Sequence, residues 1–358
     1  MRFPSDPLED WAVHCHRRGA TISLDSSGAS TPGPDEFPLR VEELGDEAEA
    51  EAELREALCR AYGVDDDMIA LTMGAQHADF LFFLTHLNPS DKAVVESPTF
   101  MPIRRQAEEV ARVSSLERSP AKAYVPDMQD LSDNLRSGAK VVALTNLHNP
   151  SGAMLGDEVL SGIVDEAQRT GALVLVDEVF REMSYGPVPK GAYQLGDNGV
   201  SVSSVTKLNG LRGLRVGWLL GPPPVARAVE AARLYTSYRL PAWSCRHAAE
   251  AVRRREWFRE RALQHAHENL PAVEDWLRRE TRVRCHRPQG AFMAHIVLPR
   301  GIDDLELSER LLDRGVAVGP GRYWGAPGTI RLTFSCPRSQ LEVGMAYISE
   351  VLDLLTRG

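Results

Sequence analysis

Ser203-Ser204-Val205-Thr206-Lys207-Leu208-Asn209-Gly210-Leu211-Arg212-Gly213-Leu214-Arg215-Val216-Gly217-Trp218 sets a lysine between two apolar runs. Val200 and Val202 precede it, and residues 216–220 follow as a second apolar stretch. Lys207 is therefore expected in a tight connection near a strand end, inside the molecule. Burying an ammonium is costly. An amine that forms an imine with a carbonyl cofactor escapes that cost, because it is no longer an ammonium. Ser204 and Thr206 stand just before the lysine, and Arg215 stands after it between Gly213 and Gly217. Hydroxyls together with a guanidinium suit a phosphate, since arginine grips two oxygens at once.

Outward from this stretch, apolar runs alternate with helical patterns. Candidate strands are 68–72, 93–96, 141–145, 172–177, 200–203 and 216–220, with helices between them such as 158–170. Gly74-Ala75-Gln76 opens a helix whose Phe80, Phe83, Leu84 and Leu87 recur at helical spacing and are expected in the core. Several strands are apolar throughout, as in a sheet covered on both faces. The alternation predicts an α/β fold, a mostly parallel sheet with right-handed crossovers. Ligands collect at the C-terminal strand ends of such sheets.

Past residue 282 the pattern changes. Short strands at 292–297, 316–318 and 329–334 surround a helix at 303–313, and a last helix covers 339–356, which predicts a smaller α+β domain. The expected division is an N-terminal arm with part of the small domain (1–45), a large domain (46–240), an interdomain helical region (241–264) and a small C-terminal domain (265–358). Residues 1–45 carry Pro4, Pro7, Pro32, Pro34 and Pro38 and are expected to be irregular. His14-Cys15-His16 reads as surface helix, because its spacing is too tight for a tetrahedral metal pair. The Ala- and Glu-rich helix 46–62, ended by Gly63, reads as a solvated acidic face.

With 358 residues, 43% hydrophobic and 25% charged, the chain has the composition of an ordinary globular protein large enough for two domains. A net charge of −9 argues against nucleic acid or an anionic membrane as partner, and assigns Arg253-Arg254-Arg255 to a solvated helix face. The five cysteines are scattered, with no CxxC pair, and predict reduced thiols in a cytoplasmic protein. No apolar run has membrane-spanning length, and the start shows no apolar signal core.

Further motifs fall at predicted strand ends. They are Gly74-Ala75-Gln76, Ser97-Pro98-Thr99-Phe100, Asn149-Pro150-Ser151-Gly152, and Asp177-Glu178 closing an apolar run. With Ser204, Lys207 and Arg215, they resemble the fold-type I pyridoxal-phosphate (PLP) enzymes, the class I/II aminotransferase superfamily. The matching motifs run in family order from residue 74 to 335.

The resemblance implies PLP as cofactor, carried by Lys207 as a Schiff base. Gly74, Ala75, Gln76, Ser204, Thr206 and Arg215 would hold its phosphate, Phe100 would stack on its ring, and Asn149 would bond the ring oxygen. Asp177 would pair with the pyridine nitrogen and keep the ring an electron sink. Arg331, in Thr329-Ile330-Arg331-Leu332, would grip the substrate α-carboxylate, with Gly28 and Asn149 beside it. Arg322 is a weaker candidate for a substrate side chain, and His148 and Glu178 have no assigned catalytic role.

Two departures stand out. Phe180 occupies the position where the family pattern Asp-x-x-Tyr has a phenol, and no tyrosine lies between 41 and 50, where many aminotransferases contribute one to the neighbouring subunit. The family implies a homodimer and an amino acid substrate, with transamination as the first expectation. Pro7-Leu8-Glu9-Asp10-Trp11, Ser26-Ser27-Gly28 and Phe334-Ser335-Cys336-Pro337-Arg338 resemble the capreomycidine synthase branch. That branch implies elimination and cyclisation of a hydroxylated arginine-type amino acid, with Glu9, Asp10 or Glu182 as candidates to receive the guanidinium.

Overall fold

The computed structural model describes residues 5–39 and 45–357. In chain order the helices are α1 (Pro7–Arg17), α2 (Glu47–Tyr62), α3 (Ala75–His86), α4 (Met101–Val110), α5 (Met128–Arg136), α6 (Asp157–Gln168), α7 (Pro223–Arg233), α8 (Ala242–Arg253), α9 (Arg255–Arg279), α10 (Asp304–Leu312) and α11 (Arg338–Arg357). The strands are β1 (Ile22–Ser23), β2 (Ile69–Thr72), β3 (Lys92–Ser97), β4 (Arg112–Glu117), β5 (Ala139–Thr145), β6 (Leu173–Asp177), β7 (Gly199–Ser204), β8 (Gly217–Leu220), β9 (Arg284–Cys285), β10 (Met293–Val297), β11 (Val316–Ala317), β12 (Gly319–Pro320) and β13 (Thr329–Thr333).

Seven strands form one sheet in the order β2-β8-β7-β6-β5-β3-β4. It is parallel except for β8, which runs antiparallel to both β7 and β2. Neighbouring residues of one strand serve opposite faces. Val141 and Ala143 pack with α3, α4 and α7, while Val142 and Leu144 pack with α5 and α6. Both faces are covered, so the strand sequence is apolar throughout. A four-stranded antiparallel sheet, β12-β13-β10-β9, and a parallel pair, β1-β11, complete the β structure.

Several expectations need correction. Residues 7–17 form one helix, which includes the helix read at 14–16 and replaces the irregular chain expected before it, capped by the Asp6 side chain on Leu8 N–H with proline in its first turn. Trp11 and Cys15 are buried against Leu312 and Ala317, and Trp11 Nε1 donates to Val318 O at 2.7 Å. The acidic face of α2 is not fully solvated. Glu51 is buried and accepts from Arg233 at 2.8 Å, Arg239 at 2.8 Å and Leu240 N–H at 2.9 Å. The basic stretch is tied down as well, with Arg253 on Glu53 at 2.9 Å and Arg254 over the Trp257 ring. Strand β4 was not foreseen. It lies at the sheet edge, and among its residues only Leu116 is buried, so it lacks an apolar run.

Candidate active site

The strand ends converge on a cavity of about 520 Å³. Its wall contains Ala75, Gln76, Phe100, Asn149, Asp177, Phe180, Ser204, Thr206, Lys207, Arg215, Arg331 and Gly28, all singled out from sequence. Gly74 is the cap just behind Ala75.

One end of the cavity suits an anion. Helix α3 begins at Gly74 with no side-chain cap, so its first N–H groups are open to a ligand. Ser204 and Thr206 bring hydroxyls from the end of β7 and the turn beyond it, and Arg212 and Arg215 bring guanidiniums. Neither arginine has a carboxylate partner among the described residues, and Arg215 Nη2 donates to Met73 O at 3.3 Å. Gly74 has φ +85°, and a Cβ there would meet Arg215 Nη2 at 2.8 Å. A Cβ on Gly217 would come within 2.5 Å of the Gly74 carbonyl carbon. Both glycines let the α3 turn, β8 and Arg215 approach closely.

Lys207 follows the end of β7, in the connection that turns back into β8. Its Nζ donates to Ser27 Oγ at a long 3.4 Å and lies 5.7 Å from the centre of the Phe180 ring. Burial lowers its pKa to about 8, helped by the positive charge of Arg331 and opposed by Asp177. Asp177 ends β6, and its carboxyl accepts one hydrogen bond, from Val179 N–H at 3.0 Å. Burial pushes its carboxyl up to about 6, against that hydrogen bond and the nearby Lys207 charge. An amine that releases its proton readily thus faces the same cavity as a carboxylate with few partners.

At the other end, β13 carries Arg331. Its Nη1 donates to Asn149 Oδ1 at 3.1 Å, and its Nη2 to Asp25 O at 2.6 Å. The guanidinium lies over Trp324, 4.3 Å from the ring centre, and Trp324 Nε1 also donates to Asn149 Oδ1. Arg331 Nε is buried with no partner, leaving a donor unspent. Burial lowers the Arg331 pKa to about 10. Glu9 and Asp25 stand in the same cavity wall.

Other candidates fall away from the cavity wall. Arg322 is held by Asp303 at 2.5 Å and Asp304 at 3.0 Å. Glu178 binds Arg181 at 2.9 Å and accepts from Ala192 N–H and Ser201. Glu182 accepts from the Tyr62 hydroxyl, and Asp10 is exposed and does not line the cavity. His148 lies in the loop after β5 and is a buried brace there, bonded to Ser151 Oγ at 2.6 Å and Pro98 O at 2.9 Å. Of the stretch 41–50 in which no tyrosine was found, residues 41–44 lie outside the described residues.

Sequence reasoning missed Arg212, Asp25 and Ser27 as wall residues. The repeat Leu211-Arg212-Gly213-Leu214-Arg215 offered a second arginine, but spacing alone does not say that both turn inward.

A family model described as aminotransferase class I and II matches residues 47–348. The chain is 30% identical to capreomycidine synthase of Streptomyces vinaceus, over 99% of this chain and 96% of that protein. It is 27% identical to an aspartate aminotransferase of Thermotoga maritima, over 84% of this chain and 81% of that one. A PLP-dependent aminotransferase from Streptococcus suis superposes with a TM-score of 0.89 at 23% identity, covering 99% of both chains, and so shares the fold. The strand order, the residues gathered at the strand ends and these matches together place the chain in the aminotransferase class I and II family.

Proposed function

We propose that this protein is a PLP-dependent enzyme acting on an α-amino acid, with transamination as its reaction. The observation that carries the reading is one cavity with a pKa-lowered lysine and a strand-end carboxylate in its wall, an anion cradle at one end and Arg331 at the other. These residues fit PLP. The open N-terminus of α3 with Ala75 and Gln76, the Ser204 and Thr206 hydroxyls, and Arg215 with Arg212 would hold the phosphate. Phe100 would cover one face of the ring, with Asn149 and Phe180 near its ring oxygen.

When bound, PLP supplies an electron sink for negative charge developing at the substrate Cα. Asp177 would keep a proton on the pyridine nitrogen by lying opposite it as a carboxylate. Lys207 Nζ would anchor the cofactor and, once released, take the Cα proton and return it elsewhere. A pKa near 8 leaves a useful share of that amine unprotonated close to neutral pH. Arg331 would hold the substrate α-carboxylate, using the donor it now leaves unspent, with Asn149 and Gly28 beside it.

A second reading is elimination and cyclisation of a hydroxylated arginine-type amino acid, as the name of the Streptomyces vinaceus relative suggests. Glu9 and Asp25 favour it, since two carboxylates in the wall would receive a guanidinium. Both readings take the protein as a cytoplasmic homodimer. Both divide the chain into the domains expected from sequence, with 46–240 carrying the cofactor.

A single-turnover experiment separates the readings. The PLP-loaded protein is mixed with a panel of amino acids, including arginine and hydroxyarginines, without any oxo acid. Conversion of the cofactor to its amine form with stoichiometric 2-oxo acid supports transamination. Retained PLP with loss of water from a hydroxylated substrate supports the second reading. A protein that takes up no PLP overturns both.

A further inference from the structure

Helix α3 has an acid on its sheet-facing side. Asp79 is fully buried, among the apolar residues that pack this helix on the sheet, including Ala78, Phe82 and Phe83. Neither of its carboxyl oxygens has a hydrogen-bond partner among the described residues. Most other buried acids are treated differently. Glu51, Glu96, Glu178, Glu280 and Asp304 each meet an arginine within 3.0 Å, and Asp91 meets Lys140 at 2.8 Å. Among the described residues Asp79 has no cation partner, and the charge that acts on it is that of Asp177, itself an acid.

Helix α3 packs directly on β6, the strand that ends in Asp177. The helix that carries Asp79 thus lies against the strand that ends in Asp177, and the Asp177 charge reaches the Asp79 carboxyl; Asp177 lines the cavity and Asp79 does not. From the cavity side, Asp177 is faced by Lys207; from β3, Glu96 adds a repelling charge. From its own chain, Val179 N–H supplies the hydrogen bond. Nothing offsets a charge on Asp79, so both burial and Asp177 favour its neutral acid form. Two close carboxyls seldom ionise together.

We propose that Asp79 is a proton-bearing positioning residue for Asp177, the pair holding one proton across the neutral range with Asp79 as the neutral member. Asp177 then presents a single negative charge to the cavity, backed by a polar neutral group instead of a hydrocarbon. At alkaline pH the Asp79 proton passes to solvent, and a second negative charge appears behind Asp177. The functional part rests on the reading that Asp177 pairs with the pyridine nitrogen of PLP; the protonation part does not.

The test uses the full chain, first without cofactor. Infrared spectra of the carboxyl stretch are compared at about pH 8, well above the ordinary carboxylate range, for wild type, Asp79→Asn, Asp79→Leu and Asp177→Asn. A protonated-carboxyl band is expected in wild type and Asp177→Asn and absent from both Asp79 variants. Identical spectra for wild type and Asp79→Asn would overturn the assignment. Each protein is then titrated with PLP labelled with 15N in the ring.

Asp79→Leu is expected to melt higher yet bind PLP roughly tenfold more weakly, the scale seen behind metal ligands, with a shifted ring-nitrogen resonance. Asp79→Asn is expected to keep wild-type affinity and resonance. A Leu variant that binds PLP like wild type, with the same resonance, would reduce Asp79 to a packing residue. Should wild type itself bind no PLP, the functional reading falls, while the infrared comparison still decides the state of Asp79.

Discussion

Two acid–base pairs end neighbouring parts of the same sheet, and they are built in opposite ways. Glu96, near the end of β3, pairs with Arg118 at 2.5 Å and also accepts from Thr145 N–H at 2.8 Å, Thr145 Oγ at 2.5 Å and Thr99 Oγ at 3.3 Å. Arg118 in turn donates to Tyr124 O and Thr145 O. The Asp177 carboxyl, at the end of β6, accepts one hydrogen bond, from Val179 N–H, and Lys207 Nζ has one long contact to Ser27 Oγ. The first pair is closed and the second is open to a cavity. A buried carboxylate met by an arginine and three further donors serves the fold, although Arg118 Nη2 is left without a partner; a carboxylate with one hydrogen bond in a cavity wall is waiting for a ligand. The difference shows why pKa values, burial and charge alone would not separate them.

The largest expected effect belongs to the open pair. Lys207→Ala should lower kcat/KM on the order of 10³-fold or more, since it removes both anchor and proton carrier. Single-turnover absorbance with an amino acid substrate measures it, and activity within about tenfold of wild type would contradict the role.

Glu96→Gln attacks the closed pair. It leaves a buried arginine uncompensated and should cost about 3–5 kcal/mol of unfolding free energy. Urea denaturation of the cofactor-free protein reads this, and a loss below about 1 kcal/mol would remove the contrast between the pairs.

Asp177→Asn should act with the opposite sign on stability. The folded pKa of Asp177 is raised to about 6 from an ordinary 3.8. The native state therefore holds more protons between those values, stability falls as pH rises through that window, and the full cost persists above it. Lys207 has its pKa lowered to about 8 from 10.5, so stability rises with pH between those values, and below about 8 its charge still compensates Asp177. At about pH 9 that compensation is largely gone, and the cofactor-free Asn variant should exceed wild type by up to about 3 kcal/mol. Equal or lower stability there would show that Asp177 is not strained. PLP affinity should fall in the same variant.

The smallest effect is expected at Phe180. Phe180→Tyr restores a phenol near the cofactor's ring oxygen and should lower the pH midpoint of the visible absorbance of the loaded protein by roughly one unit. An unchanged midpoint would show that residue 180 does not touch the proton balance of the site.

Much of this was legible in the sequence, and the legible part has a pattern. Residues at the ends of apolar strands, such as Asp177 after Leu173–Val176, were readable because an apolar run forces the strand inside and leaves its last polar residue at the edge. The strand β4 and the helix α1 were not readable that way. One is an edge strand with few buried side chains, and the other buries just Trp11 and Cys15. Asp79 was hidden for a related reason, since an acid within an apolar helical stripe looks like ordinary surface until the packing is known.

By itself, the sequence determined the alternating α/β plan, the order of the motifs, and Lys207, Asp177 and Arg331 as the groups to watch. Local periodicity and strand-end position are properties of neighbouring residues, so a linear chain carries them. Only the tertiary structure decided which charges were already neutralised. Arg322 and Arg331 look alike nine residues apart, yet one is closed by Asp303 and Asp304 from α10 and its cap, while the other meets carbonyl oxygens and keeps a donor free. Partnership depends on what distant segments bring into contact, and that information arises when the sheets and helices pack.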